Sequence, residues 1–403
     1  MGRFMQAMAG GLMLAAALAA PAAGRAVPAL SPAARLGKAL FYDPGLSASG
    51  RQSCASCHDP SNHFAPANDK AVQRGGARLD RPGIRAVPTL TYKDEAPEFS
   101  TQLENPDGSN SGPGGGHDWD GRMPSIAAQS VAPLITSFEM ANPDKGAAVA
   151  RIMRRGEYVR AFRAIFGDDV LSSVDRAFRA MGTALAAYQH EDPAFHPYSS
   201  KYDYYTRGLA ALTPQEARGM ALFNDADRAN CASCHTAGEG PGKDGSTSVA
   251  QFTDFFFKDI GVPANRSVTY PAAGSYDMGL CGPARTDLTN RHYCGLFMAP
   301  TLRNVATRKV FFHNGSLRSL RDVVEFYVTR DITPERWYHR DAAPLPYDGL
   351  PPDLRTQVDR EDMPFAGQGP NARPILNEQE VTDLVAFLET LTDGYDPAAS
   401  KAK

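Results

Sequence analysis

Apolar positions recur at helical spacing in several stretches of the chain, and two of those stretches are copies of one another. Ser31 followed by Pro32 reads as an N-cap with proline in the first turn, opening a helix through Phe41. Thr213, Pro214 and Glu216 form a capping-box pattern that opens a second helix through Phe223. The two align without a gap, setting Ser31 against Thr213, Pro32 against Pro214, Gly37 against Gly219, Leu40 against Leu222 and Phe41 against Phe223. This is an internal duplication. Helical periodicity returns at 125–129, across 147–166 and across 174–188. Leu317, Leu320, Val324, Tyr327 and Val328 share one face of a helix predicted over 316–328. Asn377, with Glu380 three residues on, opens a last helix that carries Val381, Leu384, Val385, Leu388 and Leu391 and should pack on the body. Residues 59–116 read as irregular. They end in Asn105-Pro106-Asp107-Gly108 and the run Gly112, Gly114, Gly115 and Gly116, a surface loop by composition. The aromatic run 252–257 reads as either a strand or a packing segment.

Each duplicated helix is followed shortly by the same pentapeptide, Cys54-Ala55-Ser56-Cys57-His58 and Cys231-Ala232-Ser233-Cys234-His235. The pattern reads as covalent attachment of a c-type haem. Two thiols at this spacing reach the two haem vinyls, and the histidine turns under the iron as its proximal ligand. One copy alone also suits a zinc or redox site; two copies in an exported chain do not. The fold class predicted is mainly α and loop-rich, with two related c-type cytochrome domains, each built around one covalent haem. The boundaries expected are a signal peptide over 1–26, an N-terminal haem domain over 27–200, a C-terminal haem domain over 201–370, and a helix and tail over 371–403.

Composition narrows the setting. The formal charge is −3 with Lys and Arg scattered, so nothing points to nucleic acid or an anionic membrane as partner. Thirty-six Gly and thirty-one Pro suit a loop-rich protein whose haems supply much of each core. Arg3, an apolar run over 5–20 and small residues from Ala20 to Ala26 read as a cleaved export signal, and no later stretch reaches spanning length. A periplasmic location follows, and covalent haem attachment in bacteria takes place there. Of the six cysteines, Cys281 and Cys294 are left over; in an oxidising compartment a disulfide is the economical reading, against two buried thiols.

From Trp119-Asp120-Gly121-Arg122 onward the chain resembles the bacterial di-haem cytochrome c peroxidase/MauG family. The resemblance also rests on Phe41-Tyr42-Asp43-Pro44, both haem motifs, Glu139-Met140, Pro300-Thr301-Leu302-Arg303-Asn304-Val305 and Phe312-His313-Asn314-Gly315. It implies an inter-haem tryptophan at Trp119, a distal glutamine at Gln129 and a distal catalytic glutamate at Glu139. Residue by residue, a core tryptophan, a helix-surface glutamine and a turn-capping glutamate remain open readings. Conventional members carry a histidine in the loop after the first haem that blocks the iron's sixth position. Here the loop 68–76 has none, and His63, five residues after His58, reads as structural or surface. The expectation is a first haem open to hydrogen peroxide while ferric.

Where conventional members place an axial methionine on the second haem, this chain has Tyr327, which resembles the tyrosine-ligated MauG/MbnH-like subgroup. A phenolate is a hard anionic ligand that favours oxidised iron. Periodicity alone puts Tyr327 in the core with a bonded hydroxyl. The resemblance places His313 at the second haem's edge, near a propionate. It implies a high-valent di-haem state that oxidises a partner, an aromatic (tryptophan) side chain of another protein. The alternative is a peroxidase fed electrons by a small cytochrome or cupredoxin. Two departures stand out. Ala229 occupies the position two residues before the second motif where MauG has a tryptophan. The family's interdomain calcium uses an asparagine where this chain has Ala86, and carbonyls at Arg308 and Val310, which leaves calcium open.

Overall fold

The computed structural model describes residues 29–104, 111–238, 240–241, 247–270, 276–339 and 346–400; the export signal read over 1–26 and the turn at 105–108 lie outside them. The first half carries helices α1 (Pro32–Tyr42), α2 (Ile126–Ile135), α3 (Lys145–Met153), α4 (Gly156–Phe166) and α5 (Val174–Glu191). The second carries α6 (Lys201–Thr206), α7 (Pro214–Asn224), α8 (Leu320–Thr329), α9 (Pro334–Trp337) and α10 (Glu378–Glu389). Strands among the described residues form only two-stranded ladders, such as Phe257–Lys258 against Phe297–Met298. The architecture is mainly helical and loop-rich.

The duplication is visible in packing. Ser31 caps α1 by accepting from the Ala34 amide at 3.1 Å, and Thr213 caps α7 by accepting from Glu216 at 3.2 Å. Helix α1 packs on α5, and α7 packs on α10. At both crossings an aligned glycine lets the backbones meet. A Cβ on Gly37 would lie 1.9 Å from the Ala184 carbonyl oxygen, and one on Gly219 would lie 2.0 Å from that of Asp383. Behind each glycine a phenylalanine anchors its own core. Phe41 packs among Phe64, Tyr188 and Phe195, and Phe223 packs among Phe252 and Phe387. Helix α10 is therefore part of the second core, where Val381, Leu384, Leu388 and, just past its end, Leu391 are buried.

Some expectations change. The periodic stretch 147–166 is two helices, because Arg155 is extended (φ −118°, ψ 111°) and reaches Asp43 at 2.6 Å, a tertiary ion pair that ends α3. Helix α8 starts at Leu320, capped by Ser319, so Leu317 packs from outside it. The glycine run is no surface loop: Gly114, Gly115 and Gly116 are buried. Gly115 and Gly116 have φ of +80° and +77°, and a Cβ there would lie 2.4 Å from Glu98 O and 2.3 Å from Gly121 O. They allow the backbone at 115–116 to approach those of Glu98 and Gly121 closely. The run 252–257 serves both expected purposes, since Phe257 starts a strand and Phe252 is core.

Candidate active site

Two cavities open into the molecule, one for each pentapeptide, and they are built alike. In the first, a 3-10 turn over Cys54–Ser56 presents Cys54, Cys57 and His58 to the cavity. His58 Nδ1 lies 3.1 Å from the Phe64 carbonyl oxygen. A carbonyl only accepts, so Nδ1 carries the proton and Nε2 keeps its lone pair for a metal. Burial holds the His58 ring at about 4, so it is neutral, as a ligand must be. In the second cavity His235 Nδ1 lies 3.0 Å from the Phe252 carbonyl oxygen, and burial again depresses its basicity. Phe64 and Phe252 share an unusual φ of 54°, so the same strained carbonyl orients each histidine.

The thiols test the fit. Cys54, Cys57, Cys231 and Cys234 are unpaired, whereas Cys281 and Cys294 form a disulfide with Cα atoms 4.9 Å apart. Burial pushes Cys54 and Cys231 up to about 12 and Cys57 to about 11. Neutral thiols bordering an apolar cavity suit thioether bonds to haem vinyls and disfavour a thiolate metal site. Both cavities therefore fit a covalent c-type haem.

Besides His58, the first cavity is lined by Gln129 of α2, Glu139, Arg122, Asp118 and Trp119. Glu139 follows α2 on a loop fixed at both ends. Its amide donates to Thr136 O at 2.9 Å, and its carbonyl accepts from the Gly76 amide at 2.7 Å. Gly75 is required beside it, since a Cβ there would lie 2.6 Å from Glu139 O. Burial, then the nearby Asp118 charge, raises the Glu139 carboxyl to about 7. Gln129 Nε2 donates to Asp118 Oδ1 at 3.4 Å, and Arg122 pairs with Asp118 at 2.8 Å. Among the described residues lining this cavity, His58 is the only histidine; His63 lies elsewhere, its carbonyl accepting from Thr89 Oγ1.

Trp119 lines both cavities. Its indole N–H donates to Ala86 O at 2.8 Å, while the Ala86 amide donates to His313 O at 2.7 Å. Sequence reasoning missed the frame around it. Arg85 bonds Asp277 at 2.7 and 2.8 Å and Asp120 at 2.7 Å, all buried, so one guanidinium ties the two halves beside Trp119. Asp120 was readable from its motif; Arg85 and Asp277 carry no local signal.

In the second cavity Tyr327 of α8 shares the lining with Cys231, Cys234 and His235. Gln368 fixes its backbone by donating to Tyr327 O at 2.7 Å, and its ring stacks on Phe365 at 5.5 Å. Burial, and next the Cys234 and Cys231 thiols, push its phenol well up. Among the described residues its hydroxyl has no hydrogen-bond partner, contrary to the bonded core tyrosine that periodicity suggests. His313 lines the same cavity, stacked on Phe297 at 3.6 Å and 6°. Ala229 is buried against that cavity.

Calcium does not suit the residues present. Ala86 has no side-chain donor, and its carbonyl serves Trp119. The Val87 and Val310 carbonyls accept from the Arg308 guanidinium at 3.0 and 3.3 Å. Among the described residues no group of three or more His, Cys, Asp or Glu could hold a metal ion.

Comparison with known proteins fits this geometry. Residues 31–211 match the family described as di-haem cytochrome c peroxidase. The chain is 35% identical over 400 residues to the methylamine utilization protein MauG of Paracoccus denitrificans, covering 96% of each. It resembles the crystal structure of the diheme peroxidase BthA from Burkholderia thailandensis, with TM-score 0.78, 37% identity, and 91% and 87% of the two chains covered. It also resembles a MauG-like protein associated with microbial copper homeostasis, with TM-score 0.62, 26% identity and 91% of each chain covered. A duplicated haem-attachment turn, a tryptophan shared by two cavities and likeness over nearly the whole length converge on one assignment. The chain belongs to the di-haem cytochrome c peroxidase/MauG family and is a haem-dependent oxidoreductase of that kind.

Proposed function

We propose that this enzyme works in the periplasm, where it uses hydrogen peroxide to oxidise a partner protein at an aromatic side chain of the tryptophan type. The observation that carries the reading is the pairing of Tyr327, its hydroxyl unpartnered, with His235 in one cavity, while Trp119 borders that cavity and the first. Two covalently bound c-type haems would supply the irons at which the O–O bond breaks and oxidising equivalents are held. His58 and His235 would each hold an iron, and Tyr327 would be a further ligand to the second.

The chain's own residues supply the proton handling. With its carboxyl near 7, Glu139 can take a proton from the near oxygen of peroxide and return it to the departing one. Gln129, tied to Asp118, would orient the peroxide. Trp119 offers an oxidisable ring between the cavities, and a phenolate from Tyr327 favours oxidised iron, so the second site stores an oxidant in preference to admitting electrons. The disulfide and the covalent haem motifs support an oxidising compartment. Among the described residues no helix is long and apolar enough to cross a membrane. Ala229 denies the partner the tryptophan exit at that position.

The test is Tyr327→Phe in the holoprotein. Loss or displacement of the low-spin ferric signal of one haem supports ligation by Tyr327; an unchanged low-spin spectrum rejects it.

A further inference from the structure

The second cavity is lined by two cations, Arg308 and Lys93, that form no ion pair with a carboxylate among the described residues. Burial alone lowers the Arg308 guanidinium to about 10, and burial, partly offset by Asp118, lowers Lys93 to about 8. Arg308 also reaches the carbonyl of Val87, a residue that lines the first cavity. A cation enclosed without a paired carboxylate is unfavourable, so an anion from outside the polypeptide is the expected complement.

The Arg308 side chain is specific in what it touches. Its Nη2 donates to Val87 O at 3.0 Å and its Nε to Val310 O at 3.3 Å, joining the first half to the second. The resemblance places an interdomain calcium on the carbonyls of Arg308 and Val310 and on an asparagine where this chain has Ala86; here the Val310 carbonyl accepts from the Arg308 guanidinium and Ala86 has no side-chain donor. Other guanidinium donors remain free for an anionic neighbour.

We propose that Arg308 is a tethered guanidinium that replaces an interdomain metal ion and, together with Lys93, binds haem propionates between the two sites. The inference rests on the two-haem reading but not on Tyr327 ligation or on peroxide chemistry, and neither measurement below depends on those. The first uses the unaltered holoprotein, purified with calcium chloride and then dialysed against EGTA. The expected calcium content is far below one per chain before dialysis, with ferric spectra and both midpoint potentials the same after it. One calcium per chain, or a spectrum that EGTA alters, overturns the replacement. The second compares Arg308→Met with Arg308→Lys by redox titration. Loss of the charge should shift the midpoint potential of the His235 haem downward, and lysine should restore most of the shift, since a nearby cation favours ferrous iron. An unshifted potential in Arg308→Met overturns the propionate role.

Discussion

Glu139 is a carboxyl moved to the working range by its surroundings. Burial comes first, and Asp118 adds its negative charge, so the group ionises near 7 in place of its ordinary acidic range. It must start as a carboxylate to take a proton from peroxide, so the rate of peroxide consumption should rise as pH passes upward through about 7. Glu139→Gln should lower that rate by roughly 10²–10⁴-fold and flatten the profile. A variant with the original pH dependence would remove Glu139 from the proton path. Trp119 makes a different prediction. Trp119→Phe keeps an aromatic ring but loses the N–H that donates to Ala86 O. Stopped-flow spectra should show the first haem still reacting with peroxide while oxidation of the partner falls steeply. Equal rates of partner oxidation would mean that electrons travel by another route.

At the scale of helices and loops, the repeated crossing carries the architecture. Gly37 and Gly219 each meet a backbone carbonyl, which cannot move aside as a flexible side chain can. Gly37→Ala and Gly219→Ala should each destabilise the holoprotein by about 1–3 kcal/mol through overpacking, read as a lower thermal midpoint. A change within error at either site would mean the helices separate freely. These positions were legible in the sequence because the two copies align there without a gap. So were the caps at Ser31, Thr213 and Asn377, because capping is local chemistry. The buried glycine run was not: composition alone cannot distinguish a solvent-facing loop from Gly115 and Gly116 pressed against the Glu98 and Gly121 carbonyls. Nor was the break at Arg155, which follows from an ion pair with Asp43, 112 residues away.

Across the whole molecule, the parts that read clearly from sequence are those whose chemistry is fixed by short spacing. The haem pentapeptides are the chief case, since attachment and ligation need only five consecutive residues. Trp119, Gln129 and Glu139 were readable as candidates, but their convergence on one cavity depends on α2 and the loop after it. The Arg85 frame and the Arg308 bridge were illegible because their partners lie far off in sequence: Asp277 is 192 residues from Arg85, and Val87 is 221 from Arg308. Both span the two halves, so they belong to the assembled molecule and to neither repeat. The two sites are proposed to work as one oxidising unit, the first open to peroxide in the ferric state and the second held by Tyr327. The most direct test is stopped-flow spectroscopy of the fully ferric holoprotein mixed with one equivalent of hydrogen peroxide. The predicted result is prompt change in the absorption of both haems with no prior reduction. A protein that stays silent until one haem has been reduced would contradict the account and mark a conventional electron-fed peroxidase.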